Sequence, residues 1–420
     1  MQVSIGKSMG ALLLVALGMT QGRAVAQIAP SASSVSWVGS WAASQQLPEP
    51  QNALPPQDLQ DATLRQIVHL SVGGEQVRVH LSNAAGMGPL HVTAAHIAMP
   101  ISPAAAKIDP TTDHALTFHG RPDVTIPPGA EYISDPITLH VAALSNLAVT
   151  LHLDQAPMGQ TGHPGSHADS YVLHGDHVAD ADLPGAKMVE HWYMLAGVDV
   201  ATTSVPNTVV AFGDSITDGH ASTVNGNDRW PDDLAVRLQS DAATKNIGVL
   251  NEGIGGNRLL LYGLGPAALA RFNSDVLAQA GVRTVIVLEG VNDIGVLTHD
   301  HDVPAAEHEA MVQNILGAYQ QIITRAHAHG IRVIGATITP YQGSDYYHPG
   351  PASEADRQAI NAWIRTPGNF DAVVDFDQIT RDPAHPARLL PAYDSGDHLH
   401  PSPAGYKAMA AAIPLEQLIH

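Results

Sequence analysis

Residues 209–219 read Val-Val-Ala-Phe-Gly-Asp-Ser-Ile-Thr-Asp-Gly, and the break inside them decides the fold. An apolar, β-prone run over 208–212 stops abruptly at Gly213-Asp214-Ser215, as a buried strand does when it reaches the edge of its sheet. Ser215 is therefore expected at the carboxyl end of a strand, where open α/β sheets bind ligands. Gly, Asp and Ser are also ordinary turn formers, so chemistry at this turn needs support from elsewhere in the chain.

Working outward, strand-like runs at 208–212, 248–250, 285–288, 332–338 and 372–376 alternate with helical stretches at 231–240, 305–329, 354–365 and 403–419. This alternation predicts an α/β domain, a parallel sheet with helices on both faces, over residues 201–420. Pro231 and Pro403 stand at predicted helix starts, where a missing N–H costs little.

Three further stretches follow predicted strands. Residues 251–258, Asn-Glu-Gly-Ile-Gly-Gly-Asn-Arg, are rich in glycine, which lets backbone N–H groups approach a ligand closely. A flexible loop has the same composition, and the dinucleotide fingerprint spacing is absent. Residues 289–293, Glu-Gly-Val-Asn-Asp, place Asn292 where its amide could face developing negative charge, although Asn-Asp is also common turn chemistry. Residues 394–401, Asp-Ser-Gly-Asp-His-Leu-His-Pro, offer Asp397 and His400 three apart, so one loop could fix the imidazole tautomer and present its other nitrogen to Ser215. The rival for this loop is a metal site, with Asp397, His398 and His400 as ligands, or His299, Asp300, His301 and Asp302 elsewhere. Neither cluster has a diagnostic zinc spacing, and no cofactor or metal is expected. The four stretches together supply a nucleophile (Ser215), a base (His400), its orienting acid (Asp397) and oxyanion donors from Ser215, Gly256 and Asn292, the complement for acyl transfer to water.

These blocks resemble the GDSL, or SGNH, hydrolase family: Gly213-Asp-Ser-Ile-Thr217 its nucleophile block, Gly256 its glycine block, Gly290-x-Asn292-Asp293 its asparagine block and Asp397-x-x-His400 its Asp/His block. The resemblance spans roughly residues 205–420. It implies a flavodoxin-like three-layer α/β/α domain and metal-independent ester hydrolysis by Ser215, His400 and Asp397. Gly253 and Gly255 are alternatives within the glycine block, with Gly256 favoured by its spacing from Asn251. There is no G-x-S-x-G nucleophile elbow.

Residues 27–200 lie outside the resemblance and read as an all-β, sandwich-like accessory domain. Alternating runs at 64–72 and 75–82 flank Gly73-Gly74, a hairpin signature whose turn needs positive φ. Further short strands are expected at 90–98, 115–118, 123–126, 137–141 and 147–153, and segments 37–43 and 188–200 are candidates to lead back to the second domain. At the N-terminus, Lys7, the apolar run 11–19 and Ala24-Val25-Ala26 have the order of a signal peptide cleaved after Ala26. Export as a secreted or periplasmic protein is therefore expected.

The chain has 420 residues, a formal net charge of −20 and no cysteine. The charge disfavours nucleic acid and anionic lipid surfaces, and the cysteine count excludes disulfides and thiolate chemistry. No stretch beyond the N-terminus suits stable membrane insertion. The expected substrate is a small-molecule or saccharide ester with a short acyl group. The alternatives are a lysophospholipase or lipase acting on longer acyl chains, and a non-catalytic glycan-binding protein.

Overall fold

Val209, Val210, Ala211 and Phe212 are all fully buried, as a strand covered on both faces must be. In the computed structural model, which describes residues 35–419, this run becomes the strand Thr208–Gly213. The expected signal peptide at 1–26 lies outside the described residues. Beside Thr208–Gly213 run Gly248–Gly253, Val282–Leu288, Arg332–Ala336 and Ala372–Val374, all parallel. Numbered in chain order, the five stand 2-1-3-4-5 across the sheet, the flavodoxin-like arrangement whose switch point lies beside the first strand.

Helices flank this sheet. Trp230–Gln239 packs against Pro403–Ala412, and Ala305–Ala328 against Pro351–Arg365. In Ala305–Ala328 the buried residues Val312, Ile315, Tyr319, Ile322 and Ala326 recur at three- and four-residue intervals, which makes one apolar stripe. The last helix stops at Ala412 rather than running to 419 as expected, because Pro414 has no N–H to continue it; a short 3₁₀ turn, Leu415–Leu418, follows.

Beside two two-stranded ribbons, the β-rich region has two larger antiparallel sheets among the described residues. One holds Ser36–Ala42, Leu195–Thr202, Gly74–Ser82, Glu131–Ile133 and Ile137–Val141; the other holds Lys187–Val189, Ser170–His174, Ala62–His69, Asn146–Leu153, Ala94–Ala98 and His114–Ala115. Val79 and Val198 from the first share a core with Leu64, Ile97 and Leu151 from the second, as in a β-sandwich.

Three expectations need correction here. The runs around Gly73-Gly74 are not a hairpin: Ala62–His69 and Gly74–Ser82 belong to different sheets, and neither glycine has positive φ. What requires Gly73 is close approach, since a Cβ there would meet the Val141 carbonyl oxygen at 2.5 Å. The 90–98 run is two strands, Leu90–Val92 and Ala94–Ala98, in separate sheets. Segment 188–200 is likewise divided, its middle piece Trp192–Tyr193 pairing with Gly162–His163.

The described residues form one compact unit. The sandwich covers the open edge of the parallel sheet: the Val249 N–H donates to Ser71 Oγ at 2.9 Å, and the Gly39 N–H to Thr208 Oγ1 at 3.2 Å. No helix among the described residues is long and apolar enough to cross a membrane.

Candidate active site

Ser215 opens the four-residue helix Ser215–Asp218 directly after the first parallel strand, with Asp214 as N-cap accepting the Ile216 N–H at 2.9 Å. The last-helix loop brings His400 across the sheet edge. Ser215 Oγ lies 2.8 Å from His400 Nε2, and His400 Nδ1 lies 2.6 Å from Asp397 Oδ2. A carboxylate accepts, so Nδ1 carries the proton and Nε2 is left to accept from the serine hydroxyl. Asp397 Oδ1 also accepts the Leu399 and His400 N–H groups, at 2.9 and 2.8 Å. Partial burial would raise the Asp397 pKa, but the bonds from His400 outweigh it and hold the carboxyl well below its usual range.

Residues 211–408 match the family model described as the GDSL-like Lipase/Acylhydrolase family. This stretch is a GDSL-like hydrolase domain. Solved structures similar to the chain include a protein of the G-D-S-L family from Desulfitobacterium hafniense, 24% identical, covering 49% of this chain and 97% of that one with a TM-score of 0.36. A GDSL-like lipase from Bacteroides thetaiotaomicron is 23% identical over 51% of this chain and 91% of that one, TM-score 0.36. A catalytic mutant of an acetylxylan esterase from Geobacillus stearothermophilus is 20% identical over 49% and 91%, TM-score 0.37. No curated protein matches the chain.

In the GDSL-like domain, Asn292 is the second residue of the helix Val291–Thr298, which follows the third parallel strand. Its Oδ1 accepts the Tyr347 hydroxyl at 2.7 Å and its Nδ2 donates to the Asn257 carbonyl at 2.8 Å. The two contacts define the amide's orientation and leave one Nδ2 proton for a ligand. In the glycine loop the Gly255 N–H is taken by Asp218 Oδ2 at 3.1 Å, whereas the Gly256 N–H, on a residue with φ of +70°, donates to no group among the described residues. The Ser215 N–H, first in its helix, has no intrahelical acceptor. Ser215, Gly256, Asn292 and His400 all line one cavity of about 860 Å³.

Arg271, which sequence reasoning did not single out, ties the underside of this rim together. Its Nε donates to Asn257 Oδ1 at 3.0 Å, and its other nitrogens reach the Gly213 and Glu252 carbonyls at 2.9 and 2.7 Å, Asp275 at 2.8 Å and Glu289 at 3.3 Å. Burial pushes the Glu289 carboxyl well above its ordinary value, Asp214 adding to the effect. Asp293 accepts the Leu259 and Leu260 N–H groups and is pushed up to about 6 by burial, so it anchors the glycine loop rather than facing the cavity. Arg271 stands in a sequence context with no turn or motif signal, and Tyr347 in a Gly-Ser-Asp turn that marks a loop but no chemistry; only their contacts identify them.

The expected rival clusters separate. His398 turns to Asp394, at 2.6 Å, and His299 hydrogen-bonds its neighbour Asp300 at 2.8 Å in an exposed loop. A different histidine, His220, lies tilted beside His400 with ring centroids 4.0 Å apart, and among the described residues His220, Asp397 and His400 have ligand atoms within 4.8 Å of one another. Both His400 nitrogens are already committed to Ser215 and Asp397, which favours proton transfer over metal ligation at this imidazole.

Proposed function

We propose that the protein is an exported serine ester hydrolase acting on small-acyl esters, with acetylated saccharides as the substrate class. The observation that carries this reading is the hydrogen-bonded chain Ser215–His400–Asp397 opening onto the cavity. Ser215 Oγ attacks the ester carbonyl while its proton passes to His400 Nε2; the resulting oxyanion is met by the Ser215 and Gly256 N–H groups and the Asn292 amide. Collapse expels the alcohol, which takes the proton from His400. Water then attacks the acyl-serine, giving its proton to His400, and the acid leaves as Ser215 regains its hydrogen.

The alcohol preference rests on the lining. The β-rich region contributes Gln46, Glu49, Asn52, Glu190 and His191 to the wall, side chains suited to a hydroxyl-bearing partner. Among the described residues no Lys or Arg lines the cavity, which disfavours a phosphate-bearing lipid. Export rests on the signal-like order of residues 1–26.

Ser215→Ala should abolish hydrolysis of p-nitrophenyl acetate while circular dichroism stays that of the parent; retention of most of the rate refutes the nucleophile assignment. Across p-nitrophenyl esters of increasing length, a maximum at about two to four carbons supports the small-acyl reading, and one at about eight or beyond transfers it to a lipase.

A further inference from the structure

His163 ends the two-residue strand Gly162–His163 of the β-rich region, yet it is buried against the GDSL-like domain at 2% exposure. Its Nδ1 lies 2.9 Å from the Ser44 carbonyl and its Nε2 lies 2.8 Å from Asp218 Oδ1. A carbonyl and a carboxylate oxygen both accept, so the ring donates at both nitrogens and carries a positive charge. Burial alone would lower its pKa; the Asp218 charge and hydrogen bond outweigh it and raise it. Trp192 stacks on the ring at 5.7 Å.

The second oxygen of Asp218 takes the Gly255 N–H at 3.1 Å. Gly165, two residues beyond His163, closes over this carboxylate so tightly that a Cβ there would meet Oδ2 at 2.0 Å. The loop so held, Gly253-Ile254-Gly255-Gly256, has little intrinsic stiffness and carries the unpartnered Gly256 N–H. Asp218 is 4% exposed, and a carboxylate so enclosed is costly to leave without hydrogen-bond donors. A neighbour with no N–H to donate would leave the carboxylate free to turn away, releasing Gly255.

We infer that His163 is a positioning residue for ester hydrolysis, acting through Asp218 to hold the glycine loop with the Gly256 N–H facing the oxyanion. The inference rests on the hydrolase reading above. It makes the β-rich region part of the reaction machinery rather than a detachable binding module.

The test uses the full chain with three substitutions, His163→Phe, His163→Gln and Ser215→Ala, assayed with p-nitrophenyl acetate and with a boronic acid that mimics the tetrahedral intermediate. Phe keeps the stacking on Trp192 and loses both donors; Gln keeps one N–H for Asp218. The expected result is a kcat for H163F reduced about tenfold to a hundredfold with KM changed less than about threefold, boronate affinity falling in step, and at least about threefold recovery in H163Q. Parental kcat and boronate affinity in a folded H163F overturn the inference, as does an equal loss in both His163 variants. Should H163F not fold, Gly165→Ala, which thrusts a methyl at Asp218, must show the same kcat-selective loss, and an unchanged kcat there overturns it. Activity surviving in S215A sinks the hydrolase reading itself, whereas an inactive S215A beside a fully active H163F sinks the positioning role alone.

Discussion

At the scale of single residues, direction matters as much as identity. Asn292 can serve an oxyanion only if its NH₂ end faces the cavity, and the Tyr347 hydroxyl on Oδ1 with the Asn257 carbonyl on Nδ2 sets that direction. Tyr347→Phe removes one buried hydrogen bond, worth about 1 kcal/mol, so kcat is expected to fall about five- to tenfold with the fold intact. Asn292→Ala removes the donor itself and should cost about 10² to 10³ in kcat. A Tyr347→Phe loss as large as that of Asn292→Ala contradicts a purely orienting hydroxyl.

At the scale of elements, the side chains converge because each follows the carboxyl end of a parallel strand or enters from the loop before the last helix. Arg271 joins the ends of the first two strands through the Gly213 and Glu252 carbonyls, and the glycine loop through Asn257. Lysine has no planar fork to make these contacts together. Arg271→Lys keeps the charge but leaves some of these buried acceptors without a donor, and is therefore expected to destabilise the protein by about 1 to 3 kcal/mol, measured by urea unfolding. It should also lower activity, since the strand ends it holds carry Ser215 and the glycine loop. An unchanged unfolding midpoint contradicts the hub.

At the scale of the whole molecule, the sandwich has its own buried charge cluster. Burial would lower the His80 pKa, but hydrogen bonds to Asp199 and Glu131, at 2.9 and 2.7 Å, raise it to about 9. A histidine whose folded pKa exceeds its unfolded value adds stability that is fully present below about pH 6.5 and is lost as pH rises through the folded pKa. Relative to His80→Gln, the parent should thus lose about 3 kcal/mol of unfolding free energy between about pH 6.5 and 9. A difference between the two that does not vary with pH over that window contradicts a charged His80.

The alternation of strand and helix from residue 201 onward made the parallel sheet legible in the sequence, because a strand buried on both faces is a continuous apolar run and its helices carry a 3.6-residue stripe. The same local logic marked Ser215, Asn292, Asp397 and His400, each at a break between periods. Antiparallel partners were not legible: the Gly73-Gly74 runs carry the composition of a hairpin, yet each finds its mates in a different sheet, since pairing is decided by which faces the sandwich core buries. Nor could His163, Asp218, Arg271 or Tyr347 be read from the chain. Their roles come from burial and from partners as much as 227 positions away, and a contact of that kind leaves no periodic or local trace in the residues that make it.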